Sequence, residues 1–310
     1  MGELHNNQGT GLVLSGGGGK GAYQVGVLKA LKENGKLNDV VAISGASIGS
    51  INAMLFAMDD MELMHNAWDE IDMSTVFDID LEMLMDNRHY FSRDEMLEMI
   101  SKYIDFNKVK NGKYEIYNAI CKIVPGQTKL ELEYRKLQDY DEATIKKILL
   151  ASSALPIIYE AVEIDGAYYR DGGICDNEPV QPLYDAGIRQ FIVIGLARGK
   201  NFDTSKWPDA NFITIYPSHD IGSSILGTIN FTDQAINFRE KLGYKDGLRS
   251  IKTKFEKDDT YIQLEATLAE NDYNEIMMQM RVDTTYERTK SRIDSNIEKF
   301  EALANLYKDY

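Results

Sequence analysis

Gly11-Leu12-Val13-Leu14 is an unbroken apolar run that stops at Ser15 and a cluster of glycines. Beyond the cluster, Tyr23, Val27, Leu28 and Leu31 recur at three-to-four spacing until Gly35. The run predicts a buried strand, and the spacing predicts a helix with an apolar face that glycine terminates. The alternation repeats immediately, with Val40 to Ile43 as a second strand and Ile48 to Met58 as a second helix. Two strand-loop-helix units whose strands are apolar throughout predict a mainly parallel sheet covered on both faces. Both connecting loops then lie at the carboxyl edge of the sheet, where open α/β sheets bind ligands.

Further along, Lys113 to Val124 and Lys129 to Leu137 flank Pro125-Gly126-Gln127 and read as a pair of strands. A helix is expected from Asp141 toward Ala154, with Asp141 or Glu142 at its start and Pro156 ending it. Ala161 to Ile164 and Ala167 to Tyr169 flank Asp165-Gly166, a hairpin signal, and Phe191 to Leu196 and Phe212 to Tyr216 are further buried strands. The methionines concentrate between Met54 and Met99, and Met54, Met58, Met61 and Met64 have the spacing of one helical face. Such a face fills a core or forms an adaptable surface around an acyl chain, and the spacing does not separate the two. After Gly247 the chain has neither glycine nor proline, and Ile293, Ile297, Phe300, Leu303 and Leu306 mark the apolar stripe of a terminal helix.

At 310 residues and 44% hydrophobic composition the chain is long enough for a large core. With no repeat or low-complexity linker, one domain is expected over residues 1–310, with a catalytic core at about 9–250 and a helical segment at about 251–310. The net charge of -15 argues against nucleic-acid partners and against strong attraction to an anionic membrane, so lipid contact would rest on apolar groups and be transient. Residues Met1 to Thr10 carry no basic segment with an apolar core, Asn6 spoils the lipidation pattern after Gly2, and no apolar run is long enough to span a bilayer. A soluble, cytoplasmic protein is expected. Cys121 and Cys175 match no metal spacing and are expected to be free thiols, and no acidic cluster has the spacing of a calcium loop.

The chemistry concentrates in the two loops. Gly45-Ala46-Ser47-Ile48-Gly49 is a G-x-S-x-G pentad between a strand and a helix, a sharp turn that exposes a serine hydroxyl as a nucleophile. Serine needs a base to take its proton and donors to hold the oxyanion that forms on attack. Gly16, Gly17, Gly18 and Gly19, followed by Lys20 and Gly21, leave backbone N–H groups uncovered at a helix start and suit the second task. Gly16, Gly18 and Gly21 also satisfy a dinucleotide-binding pattern, but Ser44-Gly45-Ala46 stands where that reading needs an acidic residue. Gly19-Lys20-Gly21 likewise lacks the hydroxyl residue of a P-loop. For the base, Asp171 lies on a glycine-marked turn, Asp171-Gly172-Gly173, while His219 with an acid such as Asp171 would complete a serine-acid-histidine order.

These motifs, in this order, resemble those of bacterial patatin-like phospholipases. The resemblance covers roughly residues 9 to 217 and includes Ala151-Ser152-Ser153-Ala154-Leu155-Pro156 ahead of the aspartate. It implies a three-layer α/β/α fold and a calcium-independent lipid acyl hydrolase with no cofactor and no metal. It also implies a Ser47–Asp171 dyad, an oxyanion loop at Gly16 to Gly19, and supporting roles for Lys20, Gly21, Gly45, Gly49, Gly172 and Gly173. Ser15 and Lys20 depart from the aspartate and arginine usual in that family. Lysine keeps the charge without the planar fork that grips an anion in two places. A triad esterase using His219 and a non-catalytic lipid-binding protein of the same fold are the alternatives. Substrate headgroup and oligomeric state are not legible in the sequence.

Overall fold

The computed structural model describes residues 9–70, 94–156, 158–222 and 224–306. Eight strands form one sheet: β1 (Thr10–Leu14), β2 (Val40–Gly45), β3 (Glu115–Ile123), β4 (Glu131–Lys136), β5 (Val162–Ile164), β6 (Ala167–Asp171), β7 (Gln190–Ile194) and β8 (Asn211–Ile215). They bond in the order β5-β6-β3-β2-β1-β7-β8, with β4 also on β3. The ladders β3-β2, β2-β1, β1-β7 and β7-β8 are parallel, and β4, β5 and β6 join antiparallel. A mixed, mainly parallel sheet flanked by helices is thus the architecture that the two strand-loop-helix units predict.

The helices are α1 (Ala22–Glu33), α2 (Ile48–Ala57), α3 (Met61–Asp69), α4 (Asp94–Tyr103), α5 (Phe106–Asn111), α6 (Glu142–Ser152), α7 (Gln181–Asp185), α8 (Ser224–Ile229), α9 (Asp233–Ser250) and α10 (Asp259–Leu306). Asp141 caps α6 by accepting the Thr144 N–H, as its side chain is built to do. Along β1 the side chains alternate, Leu12 and Leu14 entering the larger core with α1 and α2 and Val13 entering a second core on the opposite face. That second layer is thin: α7 and the segment bearing Phe202 and Trp207 cover it, so the three layers are unequal. Asp165 and Gly166, both at positive φ, turn the β5-β6 hairpin.

Two expectations require correction. Met54, Met58, Met61 and Met64 do not share a helical face, because α2 ends at Ala57 and a turn at Asp59, whose φ is 59°, separates it from α3. Met54, Met58 and Met64 are buried in the main core, while Met73, Met83 and Met85 lie outside the described residues. Cys121 and Cys175 are not free thiols; they are joined in a disulfide. The antiparallel ladder sets Cys121 beside Arg170, and the turn after Asp171 returns Cys175 to it, giving a Cα separation of 6.2 Å within the reach of a disulfide. Nothing local in the sequence signals this, since the pair is 54 residues apart.

Toward the C-terminus α9 packs across α1 so closely that a Cβ at Gly26 would lie 2.0 Å from the Glu240 carbonyl oxygen. The terminal helix α10 follows, as the absence of breakers predicts. The side chains of Ile293, Ile297, Phe300, Leu303 and Leu306 lie outside the described set. Among the described residues, no helix is long and apolar enough to cross a membrane.

Candidate active site

The site forms where β3 changes partner. Residues Ala42 to Gly45 of β2 pair with Glu115 to Asn118 of β3, and Tyr168 to Asp171 of β6 pair with Ile123 back to Ile120. Meanwhile β4 runs along Tyr117 to Lys122 and overlaps both stretches. A strand has two edges, so β2 and β6 share the edge that β4 does not occupy. They meet there end to end, each finishing at the junction around Ala119. Asp171 is the last residue of β6, and Ser47 lies two residues beyond the end of β2.

Ser47 follows β2 and precedes α2 with φ 53° and ψ -126°, a conformation that L residues adopt only when their surroundings impose it. The surroundings here are close backbone crossings: a Cβ at Gly45 would lie 2.5 Å from the Gly49 carbonyl, and one at Gly49 would lie 2.2 Å from the Leu14 oxygen. Ser47 Oγ donates to Asp171 Oδ2 at 2.7 Å, with the two residues 6% and 2% exposed. Asp171 Oδ1 accepts the Gly173 N–H at 2.7 Å, so the carboxylate is held at both oxygens. Arg170 points away, donating to the Tyr159 carbonyl, as alternation along β6 requires.

The glycine loop lies against the serine. A Cβ at Gly16 would fall 2.9 Å from Ser47 Cβ, and one at Gly21 would fall 2.6 Å from Ile48 Cγ1. Gly18, Gly19, Lys20 and Gly21 form a short 3₁₀ turn leading into α1, and Gly18 takes a φ of 54°. The N–H groups of Gly16 and Gly17 meet no acceptor among the described residues. Asn177 joins this loop to the aspartate loop: its Nδ2 donates to the Gly16 carbonyl at 3.3 Å, and its Oδ1 lies 2.5 Å from where a Gly173 Cβ would be.

Behind the loop sits Arg239 of α9, 2% exposed, donating from Nε to Ile221, from Nη2 to Gly227 and from Nη1 to Asn230, all backbone carbonyls. Burial pushes it down to about 10, so it stays protonated at neutral pH. Its carbonyl partners fix the segment that touches Gly18 and Gly19, whose Cβ positions would lie 2.2 Å from the Thr228 oxygen and 2.3 Å from the Asn230 oxygen. Burial first, and the Arg239 charge second, hold the Lys20 ammonium below its usual range.

His219 is not brought to the serine. Its ring stacks on Tyr273, its Nδ1 is 3.1 Å from Ser218 Oγ and its Nε2 is 3.2 Å from Glu270 of α10. Among the described residues, no group of three or more His, Cys, Asp or Glu is placed to hold a metal. The sequence reading missed Asn177 and Arg239. Arg239 carried no signal, being one of two arginines on a helix that the sequence did not predict, while Asn177 follows the Asp-Gly-Gly turn and was within reach of a closer reading of that loop.

The chain is similar to several known proteins. A fungal lysophospholipase NTE1 from Cryptococcus neoformans is 29% identical over 199 residues, 63% of this chain but 11% of that protein, so the chain spans about a ninth of this relative. Patatin-like phospholipase domain-containing protein 7 of Rattus norvegicus is 26% identical over 64% of the chain and 14% of its own length. Uncharacterized protein R571 of Acanthamoeba polyphaga mimivirus is 25% identical over 87% of the chain and 91% of its own length. Among solved structures, VipD from Legionella pneumophila shares the fold with a TM-score of 0.51 and 16% identity, over 79% of this chain and 67% of that one. The patatin-like phospholipase family model matches residues 12–184, the stretch that holds the glycine loop, Ser47 and Asp171. The chain belongs to the patatin-like phospholipase family.

Proposed function

We propose that the protein is a serine lipid acyl hydrolase working through a Ser47–Asp171 dyad. The observation that carries this reading is the 2.7 Å hydrogen bond from Ser47 Oγ to a buried carboxylate, beside a glycine loop with uncommitted N–H groups. Asp171 takes the Ser47 proton as Oγ attacks the ester carbonyl carbon. The carbonyl oxygen becomes an oxyanion, and the N–H groups of the Gly16 to Gly19 loop donate to it. A donor of this kind typically contributes about 3 kcal/mol to the barrier reduction. Collapse expels the alkoxide of the lipid, which takes the proton back from Asp171 and leaves an acyl-Ser47. Water then gives a proton to Asp171 as its oxygen attacks the acyl carbon, and Ser47 leaves with that proton while the fatty acid departs.

An aspartate is a weak base in water, so the scheme depends on withdrawing the pair from solvent, which the low exposure of both residues supports. The names of the fungal and rat relatives support a phospholipid or lysophospholipid as substrate. With His219 committed to Glu270 and Tyr273, the dyad is favoured over a triad.

The test is hydrolysis of a short-chain ester and of a lysophospholipid in chelator by the wild type, Ser47→Ala and Asp171→Asn, with fluorophosphonate labelling of the serine. Both variants are expected to fold and to lose at least about a thousandfold in kcat, with labelling abolished in Ser47→Ala. An active Asp171→Asn overturns the dyad. A wild type that binds lipid and neither labels nor turns over overturns the enzyme reading.

A further inference from the structure

We infer that Ser152, at the end of α6, is a positioning residue that sets Ser47 against Asp171; the inference rests on the dyad proposed above. Ser152 is fully buried and its hydroxyl has three neighbours. It donates to the Ala119 carbonyl at 2.8 Å, accepts the Ser47 N–H at 3.0 Å and lies 2.9 Å from Ser50 Oγ. A hydroxyl has one hydrogen to give and two lone pairs to receive. With its hydrogen on Ala119, it receives from both Ser47 and Ser50, and its capacity is filled.

The place of these contacts gives them their meaning. Ala119 is the residue of β3 between the stretch paired with β2 and the stretch paired with β6, so the ladder leaves a break there. Ser152 fills that break from α6 and in the same act holds the amide of Ser47, whose φ of 53° needs an external restraint. Two residues on, the Ala154 carbonyl accepts the Asp171 N–H at 3.1 Å. One short segment therefore grips the backbone of the serine through a side chain and the backbone of the aspartate through a carbonyl. The distance between the two catalytic groups is set by a third piece of chain belonging to neither motif. The partners of the Ser152 hydroxyl are Ser47, Ser50 and Ala119, so its effect on the pair is exerted through Ser47.

Replacing Ser152 with alanine leaves the Ser47 N–H, the Ala119 carbonyl and the Ser50 hydroxyl without their shared partner in a buried place, and the strained turn relaxes. Displacement of a catalytic group by about 1 Å costs on the order of a hundredfold in rate. The experiment compares Ser152→Ala and Ser152→Cys with Ile148→Val, a buried change on the same helix that loosens packing without touching the hydroxyl, and with Ser47→Ala. Thermal midpoint, kcat and KM are read for each on a soluble ester. Ser152→Ala and Ser152→Cys are expected to lose about 10- to 100-fold in kcat with KM within about twofold. Ile148→Val is expected to lower the midpoint and keep its kcat. Should Ser152→Ala not fold, Ser152→Cys, whose sulfur fills the space but accepts poorly, decides by the same measure. A folded Ser152 variant with wild-type kcat, or an Ile148→Val variant losing as much kcat for the same drop in midpoint, overturns the inference. Activity retained by Ser47→Ala overturns the dyad and this inference with it, whereas an inactive Ser47→Ala beside a fully active Ser152→Ala overturns the positioning role alone.

Discussion

Gly172 illustrates how little room the proposed dyad has. A Cβ there would lie 2.0 Å from the Ala119 carbonyl oxygen, backbone that a side chain cannot push aside without moving the strand junction. Gly172→Ala is therefore expected to destabilise the protein by about 1 to 3 kcal/mol. It should also lower kcat well beyond the effect of that loss, because the displaced backbone carries Asp171; denaturant melts and turnover on one preparation check both. Ser47, Asp171 and the glycine loop were legible in the sequence because each announces itself within five or six residues. What was not legible is that Ile120 pairs with Asp171 and Gly45 with Asn118, since no local pattern tells a strand that it will have two neighbours along one edge. The Cys121–Cys175 bond was missed for the same reason, its partners being joined only by that ladder.

At the scale of elements, α9 makes two different ties, one to the segment behind the glycine loop and one to α1 and α10. At one place Arg239 holds three carbonyls of the segment that backs the glycine loop. Arg239→Lys keeps the charge but cannot direct donors to three divergent carbonyls, so a fall in both thermal midpoint and kcat is expected, seen by calorimetry and turnover. Two turns later Asp246, 3% exposed, accepts from Tyr23 of α1 at 2.9 Å, from both the N–H and the hydroxyl of Ser218, and from Arg249, which also pairs with Asp272 of α10. Removing one member of a buried ion pair typically costs 3–5 kcal/mol because the other charge remains. Asp246→Ala is accordingly expected to lower unfolding free energy by about that amount. Below its melting range it should leave kcat largely intact, since its hydrogen bonds run to Tyr23, Ser218 and Arg249 and not to Ser47 or Asp171. Helices α1, α2, α6 and α10 were legible from apolar spacing and breakers, as with α1 ending before Gly35 and α10 running on after the last glycine, whereas α9 was not predicted. The α1–α9 contact was not, because it is made through glycines whose meaning appears only when two backbones meet.

Across the whole molecule, acidic residues outnumber basic ones by 49 to 34, and several carboxylates are held below their ordinary range by donors they have only in the fold. Hydrogen bonds from Lys32 to Asp59, from Lys136 to Glu115, from the Thr144 N–H to Asp141 and from Tyr184 to Asp209 all act in this direction. A carboxylate whose folded value is depressed adds stability above its unfolded value of about 4, and that stability is lost as pH falls through the lower folded value. The thermal midpoint is expected to hold between about pH 7 and 5 and to fall progressively below about pH 4. A midpoint that rises on acidification through that window would contradict this sign. The sheet at the centre imposes a different kind of constraint. Sliding β6 by one residue along β3 would carry Asp171 about 3.3 Å and turn its side chain to the opposite face, so no intermediate spacing from the serine is open to it. The Ser47–Asp171 distance is thus stepped rather than continuous: small substitutions adjust it within one step, and an insertion or deletion in the Asp165-Gly166 hairpin that shifts the pairing removes the proposed base altogether. Loops elsewhere in this chain can therefore change length without moving the pair, whereas the count of residues from that turn to Asp171 has to stay fixed.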